Sequence, residues 1–338
     1  MIEKTDAVII GAGPVGLFAI FELGLLNISC HVIDNLDKPG GQCAELYPEK
    51  PIYDIPSRVN ITGQELTNDL LSQAKPFKPV YHLSQQVEKV TKLDSNEWLV
   101  ETSINKKIQA KCIVIAAGAG SFVPRKIPIE NIHSLEEKNI LYAIRNKSKL
   151  EGKDLLIVGG GDSALDWTND LSKIANVTLI HRRKEFKAAP DSVSKMLKLE
   201  KEKKISFSLG QINNIQDLKN GKIKVTVKND DYDKDYLVDF LLPFFGLKME
   251  LGPIADWGLN LEENLIKVDT KKFETSVSSI FAIGDINTYP GKLKLILSGF
   301  HESALMAQEA FKYCFPDKKN VFRYTTSSKE LQKKLKSI

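Results

Sequence analysis

Cysteine is scarce in this chain, and its spacing is more telling than its number. The four cysteines, Cys30, Cys43, Cys112 and Cys314, are scattered and form no CxxC pair. This argues against a disulfide framework and against a cysteine-rich zinc site, and it fits a reducing cytoplasm. Histidine is sparse too: the five residues show no metal-ligand spacing in sequence and no triad partners, so no metal site is expected. A surplus of charge of either sign is also missing. Net charge is +4, from 47 Lys+Arg against 43 Asp+Glu, which is too even to argue for a nucleic-acid partner. The small excess collects at residues 318–338, where seven Lys or Arg stand against Glu330. That stretch reads either as a solvated terminal helix or as a rim that attracts an acidic partner. No apolar run looks fit to span a bilayer. The longest, "AVIIGAGPVGLFAIFELGLL" at 7–26, is broken by Glu22, Pro14 and four glycines, and no cleavage site follows. A cytoplasmic protein with no membrane partner is expected. Its 338 residues suffice for two domains.

What is present is one pattern written twice. "DAVIIGAGPVGLFAIFELGLLNISCHVID" spans 6–34 and "DLLIVGGGDSALDWTNDLSKIANVTLIHR" spans 154–182. Each reads as a buried strand, a glycine-rich turn, an amphipathic helix and a second β-branched strand. Gly11 precedes Asp34 by the same interval that separates Gly159 from Arg182. A lone GxGxxG means little, but two in this context point to dinucleotides. Gly11 and Gly159 suit the tight turn. Gly13 and Gly161 let the backbone approach a pyrophosphate, and Gly16 and Ala164 allow close packing of helix on strand. The helix N-terminus, with Asp162 and Ser163 in the second copy, then faces phosphate.

The copies differ where the ribose is read. Asp34 offers a carboxylate to ribose hydroxyls and would repel a 2′-phosphate, which suits FAD or NAD. The second copy has His181-Arg182-Arg183 instead, and guanidinium donors suit the 2′-phosphate of NADP. The first unit is therefore expected to hold FAD and the second NADPH. "CIVIAAGAG" (112–120) and "SVSSIFAIGDINTY" (276–289) read as the strands that leave and re-enter the first unit. The expected fold is α/β, with an NADP-binding Rossmann-like domain at 118–247 inserted in an FAD-binding one made of 1–117 and 248–338. "GAGSFVPRK" and "GLKMELGP" read as the connectors.

"GGGDSALDW", "IHRR" followed by Phe186, "GGQ…LYPEK…YDIP" and "IFAIGDI…YPGK" together resemble the thioredoxin-reductase-like (type 2) ferredoxin–NADP reductases over nearly the whole chain. The resemblance implies hydride transfer between NADPH and FAD, then single-electron transfer to ferredoxin or flavodoxin. It implies FAD contacts at Asp34 (adenosine ribose), Gln42 and Tyr47 (flavin), Val87 (adenine, through its backbone), Phe122 (crossover), Asp285 (ribitol) and Thr326. Taken alone, Val87 and Phe122 read as core residues. The resemblance also implies a homodimer in which Tyr324, the aromatic ring expected against the flavin, and Thr326 serve the partner's site. No catalytic acid–base pair is implied, and His301 reads as a packing residue.

"PGGQCAELYPE" (39–49) poses the rival reading, a disulfide reductase working through Cys43. Residues 44–48 are Ala-Glu-Leu-Tyr-Pro, and the segment just before the second glycine motif, "NILYAIRNKSKLEGKDLLIVGGG", holds no cysteine, so neither usual disulfide arrangement can be built. A non-catalytic flavoprotein that senses NADPH is the rival from another class.

Overall fold

A strand apolar on both faces has to be covered on both faces. In the computed structural model, which describes residues 2–118, 120, 123–130, 132–136, 138–144, 146–229, 233–248, 250–321 and 324–335, the run Ala7–Ile10 is covered in that way. It forms the second half of β1 (Ile2–Ile10), and α1 (Pro14–Leu25) and β2 (Cys30–Ile33) follow. Next come α2 (Gly41–Glu45), α3 (Gly63–Ala74) and β3 (Val80–His82). A meander of β4 (Val87–Lys92), β5 (Trp98–Thr102) and β6 (Lys107–Ile115) completes this part. α3 starts on a reciprocal cap: Thr62 Oγ1 accepts from the Glu65 amide, and the Glu65 carboxylate accepts from the Thr62 amide.

The chain divides into two units, Met1–Phe122 with Met249–Ile338, and Val123–Lys248. In unit two, β7 (Asp154–Val158), α4 (Asp162–Leu171) and β8 (Asn176–His181) repeat the opening motif. α5 (Pro190–Lys201) and β9 (Ile205–Leu209) come next. β10 (Gln211–Asp217), β11 (Ile223–Lys228) and β12 (Asp233–Val238) form an antiparallel sheet, and β13 (Phe240–Pro243) returns to the parallel one. The parallel order is β9-β8-β7-β13. Leu247–Lys248 pair with Val123–Pro124 inside unit two, and Gly120 bridges Glu250 inside unit one.

Back in unit one, β14 (Ile280–Ala282) pairs with the end of β6, and α6 (Ile296–Cys314) packs on α1. Among the described residues the sheet runs β3-β2-β1-β6-β5-β4, with β14 also on β6. Strands β1 and β6 serve two layers. Ile2–Thr5 pair with Lys107–Ala110, the half of β6 that also pairs antiparallel with β5, and Ala7–Ile10 pair with Cys112–Ile115. One cluster joins Trp98, Val100 and Ile108 to Val8, Ile33 and Ile113, so the meander lies over the parallel strands. On the other face α1, α3 and α6 bury a second cluster around Leu17, Ile20 and Met306. A Cβ on Gly299 of α6 would stand 2.3 Å from Val15 Cγ2, so the two helices approach at backbone distance. The basic C-terminal stretch includes a helix over Lys329–Leu335, anchored by buried Leu331. No helix among the described residues is long and apolar enough to cross a membrane.

Candidate functional site

Parallel pairing brings the first motif's ends together. Ile10 lies opposite Ile33, so the Gly11 turn and Asp34 leave the sheet at the same end. Asp34 Oδ2 accepts from the Ala12 amide at 2.5 Å and Oδ1 from the Leu36 amide at 2.8 Å. Gly11 has φ +106°, and a Cβ there would stand 2.4 Å from the Ala116 carbonyl oxygen. Only glycine fits, and the turn stays open for a phosphate. Gly16 sits beneath, where a Cβ would stand 2.0 Å from the Gly11 oxygen.

The segment "PGGQC" crosses directly over this turn. The Gly40 amide donates to the Ala12 carbonyl at 2.8 Å, and Gly40 has φ +124°. A Cβ on Gly41 would approach Gly13 Cα to 2.9 Å. The crossing delivers Gln42 and Tyr47 into a cleft of unit one that Gly11, Gly13, Asp34, Val87 and Asp285 also line. A diphosphate on the glycine turn, a ribose at Asp34 and a longer chain running to Asp285 fit this cleft.

Cys43 also lines the cleft, but as a buried thiol that donates to the Tyr47 hydroxyl at 3.8 Å. Burial pushes its pKa up to about 11. Burial likewise pushes the Tyr47 hydroxyl well above its ordinary value. Asp34 and Asp285 are raised by burial, with the Ala12 and Leu36 amides opposing at Asp34, and Lys292 and Lys294 at Asp285.

In unit two, Val158 lies opposite Ile180, so the Gly159 turn and the Arg182–Arg183 pair emerge at one end of the sheet. A Cβ on Gly159 would meet the Phe244 oxygen at 2.5 Å. Gly161 is the N-cap of α4, and the Asp162 carboxylate accepts from the Ala189 amide at 2.8 Å. Ser163 is exposed on the first turn, and both arginines are exposed. Among the described residues neither guanidinium has an ion-pair partner. The His181 ring packs on Phe186 with centroids 5.2 Å apart and fixes the base of this loop.

The model of the pyridine nucleotide-disulphide oxidoreductase family matches residues 5–309. The chain belongs to this family. A protein of Parvibaculum lavamentivorans named ferredoxin–NADP reductase is 60% identical over 98% of this chain and 97% of its own length. One of the same name from Beijerinckia indica is 56% identical over 98% of this chain and 97% of its own. Thioredoxin reductase of Lactococcus lactis superposes with TM-score 0.78 at 24% identity, over 93% of this chain and 100% of that one, a likeness of fold.

Not every expected residue reaches the cleft. Phe122 lies outside the described residues. Thr326 is exposed in the turn Thr325–Ser327, Tyr324 is 70% exposed, and neither lines the cleft of its own chain. His301 is exposed on α6, with Phe273 edge-on at 6.5 Å.

Two features were missed in the sequence. The stretch 251–253, read only as part of a connector, lines the cleft together with Ile254. The other is Glu302, fully buried in α6. Its Oε2 accepts from the Gly284 amide at 2.6 Å and from Asn287 Nδ2 at 2.9 Å. Oε1 accepts from the Tyr289 hydroxyl at 2.9 Å and forms an ion pair with buried Lys292. Lys292 donates in turn to the Gly284 carbonyl at 2.9 Å. The carboxylate thus sets the backbone that carries Asp285. Its signal was available: a Glu on the same face as Gly299, Ser303 and Met306 points inward.

Proposed function

We propose that this FAD-dependent oxidoreductase is a ferredoxin–NADP(+) reductase. It oxidises NADPH and delivers electrons singly to ferredoxin. The observation that carries this is 60% identity over 98% of the chain to a protein of that name. The cleft adds support, since its one cysteine has no second thiol beside it. Cys30, Cys112 and Cys314 belong to the core under α1, α3 and α6.

In this reading Gly11, Gly13 and Gly16 accommodate the FAD diphosphate, and Asp34 takes the adenosine ribose. Val87 meets adenine through its backbone, Asp285 takes the ribitol, and Gln42 and Tyr47 line the flavin, with Phe122 near the crossover. Bound FAD supplies the change from two-electron to one-electron transfer. Gly159, Gly161, Asp162 and Ser163 receive the NADPH diphosphate, and Arg182 and Arg183 its 2′-phosphate. Tyr324 and Thr326 serve the partner's flavin in a cytoplasmic homodimer, which accords with their exposure. Flavodoxin is the alternative acceptor.

Anaerobic addition of NADPH to the yellow protein should bleach the flavin, and oxidised ferredoxin should restore the colour. Absence of bleaching would refute the reductase reading. Cys43→Ala should keep ferredoxin reduction within about twofold, because a thiol held near pKa 11 is not a nucleophile at neutral pH. Loss of electron transfer in that variant would favour the disulfide chemistry instead.

Acid should also release FAD. Burial raises Asp34 and Asp285, so neither gains from ionisation on folding, and each favours the folded state most when protonated, below 3.8. A sugar hydroxyl donates best to the ionised form, so binding works against this tendency and weakens as pH falls. Flavin fluorescence should therefore rise before the pH reaches 3.8, the ordinary Asp value. Full retention down to that pH would contradict the assignment of these two carboxylates.

A further inference from the structure

Three donor atoms outside the cleft lining converge in unit one. Glu3 stands near the start of β1, His31 in β2 and His82 at the end of β3. His31 Nδ1 lies 3.0 Å from His82 Nε2, and Glu3 Oε2 lies 3.6 Å and 3.7 Å from those two nitrogens. Among the described residues this is the one group of three His, Cys, Asp or Glu donors so placed. We propose that Glu3, His31 and His82 bind one transition-metal ion of the zinc class, with water as the fourth ligand.

The spacing matches the ion. Bonds of about 2.0–2.1 Å in a tetrahedral site put ligand atoms about 3.3 Å apart. The three observed separations, 3.0, 3.6 and 3.7 Å, straddle that distance. Two imidazoles and a carboxylate select zinc and its neighbours over magnesium or calcium, which take oxygen ligands. The His31 and His82 side chains are 12% and 6% exposed, so strand packing holds both rings. Glu3 is 41% exposed, which leaves a side for the ion to enter and for water to bind. Lys106 Nζ sits 2.8 Å from Glu3 Oε1. It fixes the carboxylate and leaves Oε2 for the ion, while its charge weakens the site.

The ion would act as a clip between layers. Glu3 comes from the half of β1 that pairs with β6 where β6 also holds β5 of the meander, and the histidines come from the neighbouring strands β2 and β3. The His82 carbonyl accepts from the Asp34 amide at 3.1 Å, so a backbone hydrogen bond joins His82 to the residue whose carboxylate lines the cleft.

The test is Zn²⁺ titration of chelator-washed holo-protein against a chromophoric zinc indicator, with melting temperature read in parallel. One equivalent should bind, and Mg²⁺ should not compete. His31→Gln and Glu3→Gln should each lower zinc affinity at least tenfold and abolish the zinc-dependent rise in melting temperature. Glu3 is the exposed ligand, so its variant remains informative if a histidine variant fails to fold. Absence of stoichiometric uptake by the unmodified protein would overturn the site, and so would undiminished affinity in Glu3→Gln.

Discussion

Replacing Arg182 and Arg183 together by alanine should lower kcat/KM for NADPH about a hundredfold and leave that for NADH within about threefold. Both guanidiniums follow β8 at the end of the sheet where the Gly159 turn opens. Both are exposed, and among the described residues neither has an ion-pair partner. A 2′-phosphate would therefore meet donors that need not be released from another bond. Charge-assisted hydrogen bonds of this kind contribute about 1.5–3 kcal/mol each, so a hundredfold loss is a conservative expectation for two. Because the residues are exposed, stability should change by less than about 0.5 kcal/mol. Steady-state kinetics with the two coenzymes make the comparison internal to each preparation. An equal loss with NADH would mean that the pair acts on the loop rather than on the phosphate.

Glu302→Ala should destabilise unit one by about 3–5 kcal/mol and release much of its FAD. The substitution leaves Lys292 as a buried cation and strips acceptors from the Gly284 amide, Asn287 Nδ2 and the Tyr289 hydroxyl. A buried ion pair adds little net stability when it is made, but losing one partner exposes the full desolvation penalty of the other. Glu302→Gln should recover only part of the loss, since one carbonyl oxygen replaces two carboxylate oxygens that receive four donors. Urea unfolding followed by flavin fluorescence and by circular dichroism measures both effects. Wild-type stability with normal FAD retention in Glu302→Ala would show that the carboxylate does not set the Asp285 turn.

The local rules were legible in the chain. Strand, glycine turn and helix appear at 6–25 and 154–171 because a buried parallel strand must be apolar throughout, and the turn must be glycine. The Asp34 and Arg182 difference could be read by counting, since a fixed strand–turn–helix–strand geometry sets the interval from the glycine turn to the residue after the second strand. Glu302 was harder to read. Its partners Gly284, Asn287 and Lys292 come from the chain before α6, and only burial shows that a single carboxylate satisfies them all.

The sequence by itself determined the two glycine-rich strand–turn–helix motifs, the opposite charges at Asp34 and Arg182 after them and the lack of a CxxC partner for Cys43. These depend on short spacings within one supersecondary unit. Tertiary structure alone decided which distant residues meet. Counting along the chain found no metal-ligand spacing among the histidines, yet β2 and β3 pair side by side and bring His31 to His82, 51 residues apart, at 3.0 Å. Likewise "PGGQC" became a crossing over the Gly11 turn through one amide, Gly40 to Ala12. Strand pairing and layer packing create such contacts, and neither leaves a period in the sequence.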